Sequence, residues 1–187
     1  PDKMESSYLG ELTFQDGFPT KETVSKVSNF VDISRAVELF INGTPAASMY
    51  GMLNGHVEIG LEPNRSVGIT EELMNARSLW LTPQTTTPYV HAEIDVKDGP
   101  VVLEIGTPVL GFVNDAFFRY VTDLGLVGAD KGKGGKYLFV GPDYEGEIPE
   151  GYFVSRTSTY RHWALMRIAA KPGETKEAIE AFKKSFK

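Results

Sequence analysis

The densest set of groups with chemical potential lies between Gly128 and Tyr152, GADKGKGGKYLFVGPDYEGEIPEGY. Lys131, Lys133 and Lys136 stand there among glycines, ahead of a short apolar strand. A nucleotide-binding loop needs G-x-x-x-x-G-K followed by Ser or Thr, with a helix N-terminus facing the phosphate. From Gly128 to Gly132-Lys133 the spacing is one residue short, Gly134 occupies the hydroxyl position, and a strand follows. The nucleotide reading fails on all three counts. What remains is a solvated glycine turn, the preferred reading, or a loop whose Lys131 and Lys133 meet an anion or a carboxylate.

His91, Glu93 and Asp95 alternate with Val90, Ala92 and Ile94. An imidazole and two carboxylates suit a transition metal. Same-side residues on a strand stand about 7 Å apart, so three in a row rarely converge on one ion. An exposed polar face explains the same letters, and no metal is assigned. The run LTPQTTTPY, from Leu81 to Tyr89, places Thr85, Thr87 and Tyr89 where hydroxyls and a ring can line a polar pocket. Its plainer reading is a strand entry whose hydroxyls cap backbone groups. Arg156, Arg161, His162 and Arg167 flank Tyr160 and Trp163. An arginine in an apolar strand needs a carboxylate, and Asp115 or Asp123 can supply it, either for structure or around a ligand's acid group. His56 and His162 have no recognisable spacing. No G-x-S-x-G elbow is present, and among 25 acidic residues no glycosidase pair can be singled out.

These groups must be carried by a chain of 187 residues with 41% hydrophobic and 24% charged residues, an ordinary globular balance. The net charge of −6 opposes nucleic acid as a partner. The absence of cysteine removes disulfides, thiolate nucleophiles and thiolate metal sites. No apolar run approaches the roughly 20 residues of a membrane span. The chain begins at Pro1 without a basic-then-apolar leader, as expected of a start inside a longer precursor or after processing, and both cytoplasm and periplasm stay open.

Residues 1–19 read as an arm and 20–187 as a single domain. Three short helices are expected: one capped by Thr20, one from Asp32 to Gly43, and one from Thr44-Pro45 to Leu53. A glycine-punctuated stretch follows Gly55. Residues 90–96 alternate as a strand, Lys97–Pro100 is turn chemistry, and VVLEI reads as the partner strand of a hairpin. FFRYVT, KYLFV, GYFVSR and HWALMRIA supply further strands, and an amphipathic helix from about Gly173 turns Ala178, Ile179, Phe182 and Phe186 inward. Consecutive strands without intervening helices predict an antiparallel β-sandwich with helices at both ends.

The string GADKGKGGKYLFVGPDYEGEIPEGYFV, with SRTSTYRHWALMR, RAVELFINGTPAASMYG and DVKDGPVVLEI, resembles the family called domain of unknown function 1254. The likeness covers most of the chain from about Thr20, and Asp130–Tyr137 is its most specific part. It implies an immunoglobulin-like antiparallel β-sandwich, the N-terminal module of a two-domain protein that also carries a jelly-roll-like domain of unknown function 1214. The C-terminal helix would lead into that missing partner, and the whole would self-associate. The chain departs from the family at Gln84–Tyr89, where many members have an Asn-x-Asp-Thr-x-Tyr-like stretch, so an activity resting on that aspartate is not expected here.

The expected function is a structural or ligand-binding module of a self-associating tandem β-sandwich protein, with no cofactor. The alternative is an enzyme acting on a carbohydrate or small acid in a cleft shared with the second domain, lined by Thr85, Thr87, Tyr89, Asp115, Lys131, Lys133 and Arg156. A metal-dependent activity through His91 and Glu93 is the third reading.

Overall fold

A computed structural model describes residues 2–78 and 84–187. Compactness divides the chain after Pro45, into residues 1–45 and 46–187.

The first unit combines a small sheet with the start of a long helix. Its strands β1 (Lys3–Ser6), β2 (Gly10–Gln15) and β3 (Phe18–Pro19) form an antiparallel sheet in that order. Asp16 and Gly17, both with positive φ, make the two-residue β2–β3 turn. An Asp-Gly pair is the usual chemistry for such a hairpin. Thr20 accepts from the Thr23 amide at 3.3 Å and starts helix α1 (Lys21–Glu58). The buried Thr23 hydroxyl donates to the Thr13 carbonyl and accepts from the Thr13 amide, which ties the hairpin to the helix.

The three expected helices are one helix of 38 residues that runs through Gly43 and Pro45. Glycine costs a helix about 1 kcal/mol and an interior proline about 3. Those local costs predicted breaks. They are outweighed by the helix's far end, where Met49 and Leu53 are almost completely buried. Burying a side chain of that size contributes roughly 1.5–3 kcal/mol.

In the second unit follow β4 (Val67–Ile69), β5 (Tyr89–Asp95), β6 (Val101–Ile105), β7 (Val109–Asp115), β8 (Tyr120–Gly125), β9 (Gly135–Val140), β10 (Phe153–Arg156), β11 (Arg161–Ile168) and α2 (Thr175–Ser185). One sheet has the order β4-β5-β11-β7-β8 and another β10-β9-β6. The described residues are thus mainly β, with three sheets and two helices. The expected hairpin of residues 90–96 with VVLEI does not form. Both edges of β5 are taken, by β4 and β11, so β6 crosses to the other sheet and pairs with β9. β10 runs parallel to β9, against the all-antiparallel expectation. Phe117 and Phe118 lie in the β7–β8 turn, and the strand starts only at Tyr120.

Val90, Ile94, Val113, Leu124, Ala164, Met166 and Ile168 of the five-stranded sheet share one core with Leu103, Ile105, Tyr137 and Phe139 of the three-stranded sheet. Ile179 and Phe182 of α2 close it, with Ala178 and Phe186 packed at its margin. Gly125 holds φ +72°, and a Cβ there would stand 1.9 Å from the Val109 carbonyl oxygen, so no other residue fits this strand end.

Candidate functional site

The five-stranded sheet buries its second face as well. Tyr89, His91 and Glu93 of β5 face the same way as their β11 partners Arg167, Leu165 and Trp163. Met49 and Leu53 of α1 pack with Tyr89, Trp163, Leu165 and Met74 in a second apolar cluster. His91 and Glu93 are therefore not an exposed polar face; 4% and 7% of their surfaces reach solvent. The alternation was read correctly, but it does not reveal that α1 returns to cover the polar side.

Buried polar groups need partners, and here they find one another. Arg161 donates from Nε to Glu93 Oε1 at 2.5 Å and from Nη1 to Asn54 Oδ1 of α1 at 3.2 Å. Its guanidinium carbon lies 5.9 Å from the Tyr50 ring centre. The Trp163 indole donates to His91 Nδ1 at 3.3 Å, and the two rings stack 5.9 Å apart at 11°. That bond leaves the His91 proton on Nε2 in the neutral ring. His56, from the last turn of α1, places its ring 5.4 Å from that of His91. Arg167 donates to the Tyr89 hydroxyl at 3.3 Å.

Burial, and then the neighbouring His56, push the His91 imidazole down to about 4. Burial also lowers His56, with Glu93 opposing. Both rings are neutral near pH 7. Their neutrality suits hydrogen bonding. The hydrogen bond to Glu93 raises Arg161 further and fixes its charge. The second carboxylate oxygen of Glu93 is buried, and among the described residues none donates to it. Among the described residues no three His, Asp or Glu side chains converge as a metal set, and Arg161 engages Glu93 as its counter-ion.

The residues singled out as a ligand lining fall at separate places. Asp115 is buried, and its partner is Arg119, not an arginine of the SRTSTYRHWALMR run. Its Oδ1 accepts from the amides of Phe117 and Arg119 at 2.8 and 3.0 Å, and Oδ2 accepts from Arg119 Nε at 2.7 Å. Burial alone would raise this carboxyl, but those bonds outweigh it and hold it below the usual range. Asp115 thus clamps the β7–β8 turn. Asp123 accepts from the Tyr120 hydroxyl at 3.2 Å. Arg156 is exposed and donates to the Tyr144 carbonyl at 3.4 Å.

Lys131 and Lys133 are exposed on a turn held from within. Buried Asp130 accepts from the Tyr137 hydroxyl and from the Gly134 amide, and its own amide donates to the Tyr137 oxygen. Burial and then this bond push Tyr137 up to about 12. The loop is organised around one aspartate. Thr85 is exposed, and Thr87 lines an open cavity of about 520 Å³ with Leu110, Leu126, Arg167 and Lys171. Among the described residues that line this cavity, Thr87 alone comes from the expected lining. Leu81, Thr82 and Pro83 of the LTPQTTTPY run lie outside the described residues.

Sequence reasoning missed His56, Asn54 and the Glu93–Arg161 pair. One signal was available: an arginine in an apolar strand demanded a carboxylate. The partner proved to be the acid across the neighbouring strand.

The fold and the cluster define a mainly β module with a buried polar network beneath a helix. Residues 64–187 match the family model described as "Protein of unknown function (DUF1254)", and the chain belongs to this family. Among solved structures it is similar to the VPA0106 protein from Vibrio parahaemolyticus, with a TM-score of 0.60 and 18% identity over 79% of this chain. The chain spans 35% of the length of that protein. No curated protein matches it.

Proposed function

We propose that this chain is a non-catalytic scaffold module that associates with a second copy of itself through the apolar face of α1. The carrying observation is the character of that helix between Lys21 and Ile41. Val27, Phe30, Val37 and Ile41 follow one another at three, seven and four residues, which keeps them on one helix face, with Ile33 and Phe40 beside them, and all six are exposed; Phe40 reaches 76%. A helix this apolar is normally covered, and a patch of this kind marks an interaction surface. Lys21, Lys26 and Arg35 balance Glu22, Asp32 and Glu38 along the same stretch, so charge does not oppose the pairing of two copies. The core shared by the β4-β5-β11-β7-β8 and β10-β9-β6 sheets supports reading the second unit as an immunoglobulin-like sandwich, with a jelly-roll-like domain as its partner in a longer protein.

Sedimentation equilibrium tests the proposal. The wild-type chain is expected to assemble in the micromolar range, and the Ile33→Glu/Phe40→Glu variant to sediment as a monomer with its helix content retained. A monomeric wild type contradicts it.

An enzyme acting on a carbohydrate or small acid is the second reading. Its support is the neutral His91 and the free oxygen of Glu93. Their burial weighs against it, because a reacting group must reach its substrate. Thr87, Arg167 and Lys171 around the open cavity are the better lining for a small acid. A melting-temperature screen with small acids separates the two readings, since a bound ligand raises the transition by mass action.

A further inference from the structure

The end of β11 and the loop after it carry two cations that no carboxylate answers. Arg161, at the start of the same strand, holds Glu93, and Arg119 holds Asp115. Arg167 and Lys171 have no acid within 4.0 Å among the described residues. Arg167 is placed by an aromatic ring instead. Its guanidinium carbon stands 5.5 Å from the ring centre of buried Tyr89, and Nη2 donates to that hydroxyl at 3.3 Å. The register sets Tyr89, Arg167 and Leu110 in one row across β5, β11 and β7, on one face of the sheet. Only Nη2 of the guanidinium is engaged, and only with a neutral group; its other donors have no acceptor among the described residues.

Arg167 and Lys171 line the open cavity of about 520 Å³, with Thr87 as a hydroxyl beside them. Leu110 and Leu126 supply its apolar wall, and they stay 37% and 53% exposed, hydrocarbon that a ligand's body would take out of water. No acidic residue is among the described residues that line it. By contrast, the cavity of about 740 Å³ is lined by Glu71 and Glu72. In a chain of net charge −6, a lining with cations and without acids runs against the average. Small-molecule sites are concave, roughly 300–1,000 Å³, mostly apolar, and carry a few polar groups that fix orientation. This cavity has that size and that division.

We infer that this cavity binds an organic anion with an apolar body, a carboxylate on an alkyl or aryl skeleton. The inference sharpens the small-acid alternative above and rests on its lining, but it requires binding and not turnover. The carboxylate takes the remaining donors of Arg167, whose planar fork suits an acid's two oxygens, and Lys171 adds a second positive charge. The skeleton lies against Leu110 and Leu126. A bare inorganic anion leaves those leucines wet, and a neutral apolar molecule leaves both cations without a partner. The lining therefore selects for the two features together.

Titration of the chain with phenylacetate, with its neutral counterpart phenylacetamide and with acetate, followed by amide chemical shifts, tests the inference. Phenylacetate is expected to shift Ala169, Ala170 and Lys171 saturably. It should bind roughly tenfold more tightly than the amide, which lacks the charge, and than acetate, which lacks the ring. Arg167→Gln and Lys171→Ala should each weaken phenylacetate by roughly five- to tenfold. Lys171 is exposed and in no strand or helix, so its variant keeps the fold even if Arg167→Gln does not. An amide that binds as tightly as the acid, saturable shifts confined to other residues, or a Lys171→Ala chain that binds like wild type overturns the inference. Acetate as tight as phenylacetate overturns it while leaving a small-acid site in place. Binding of neither acid removes both.

Discussion

Arg161 and Glu93 meet diagonally across the β5–β11 pair, two residues out of register: Arg161 stands opposite Asp95 and Trp163 opposite Glu93, and Arg161 reaches along the strand to make a 2.5 Å bond to Glu93. The Glu93 side chain is 4% exposed and that of Arg161 29%. Removing one member of a buried pair strands the other charge, which costs about 3–5 kcal/mol. Arg161→Met should lose about 3 kcal/mol in urea unfolding, the low end because the guanidinium keeps some water. The double variant Glu93→Leu/Arg161→Met should recover most of that loss. Additive losses would mean the two side chains are not coupled.

Acid should weaken the fold through the same cluster. In an unfolded chain a histidine takes its proton near pH 6.5, whereas folded His91 does so only at about 4. Between those values the unfolded chain binds more protons, so stability falls as the pH drops from about 6.5 towards 4, by up to about 1.4 kcal/mol per pH unit for this residue. Burial shifts His56 and His162 in the same direction, which steepens the fall. His91→Gln, which keeps an acceptor for the Trp163 indole, should flatten the slope of urea midpoints over this window. An unchanged slope would remove His91 from the account.

The glycine-lysine loop should depend on its aspartate and not on its lysines. Tyr137→Phe takes the hydroxyl donor from buried Asp130 and should cost about 1–3 kcal/mol. Lys131→Ala and Lys133→Ala, both on the surface, should stay within about 0.5 kcal/mol of wild type. Thermal unfolding distinguishes the two outcomes; lysine variants as costly as Tyr137→Phe would assign the loop an electrostatic role.

Gly43 reports on the continuity of α1. It lies inside the helix, and a methyl group there meets no atom within 4 Å. Gly43→Ala should therefore stabilise by about 0.5–1 kcal/mol. If the helix instead ended at a left-handed Gly43, as the sequence suggests, the same change would destabilise.

That helix shows where sequence reasoning stopped. Gly43 and Pro45 carry strong local signals, and local signals predict ends; the burial of Met49 and Leu53 that overrides them is a tertiary fact with no local mark. The strand from Tyr89 to Asp95 was legible in its alternation, and α2 in its apolar stripe, because both patterns follow directly from backbone period. Which side of that strand meets water was not legible, since His91 and Glu93 look alike whether solvated or paired beneath a helix. Arg161 announced its need for an acid. Choosing Glu93 over Asp115 required the sheet order, which short strands of similar composition do not encode singly.

Ser34 sits within the apolar stripe of α1, between Phe30 and Val37, and the chain contains no cysteine. Oxidation of a Ser34→Cys variant therefore asks directly whether two copies meet along this face. The account predicts a disulfide-linked dimer as the main product, far above the yield from a control cysteine at exposed Glu150. Equal, marginal cross-linking at both positions would contradict self-association through α1.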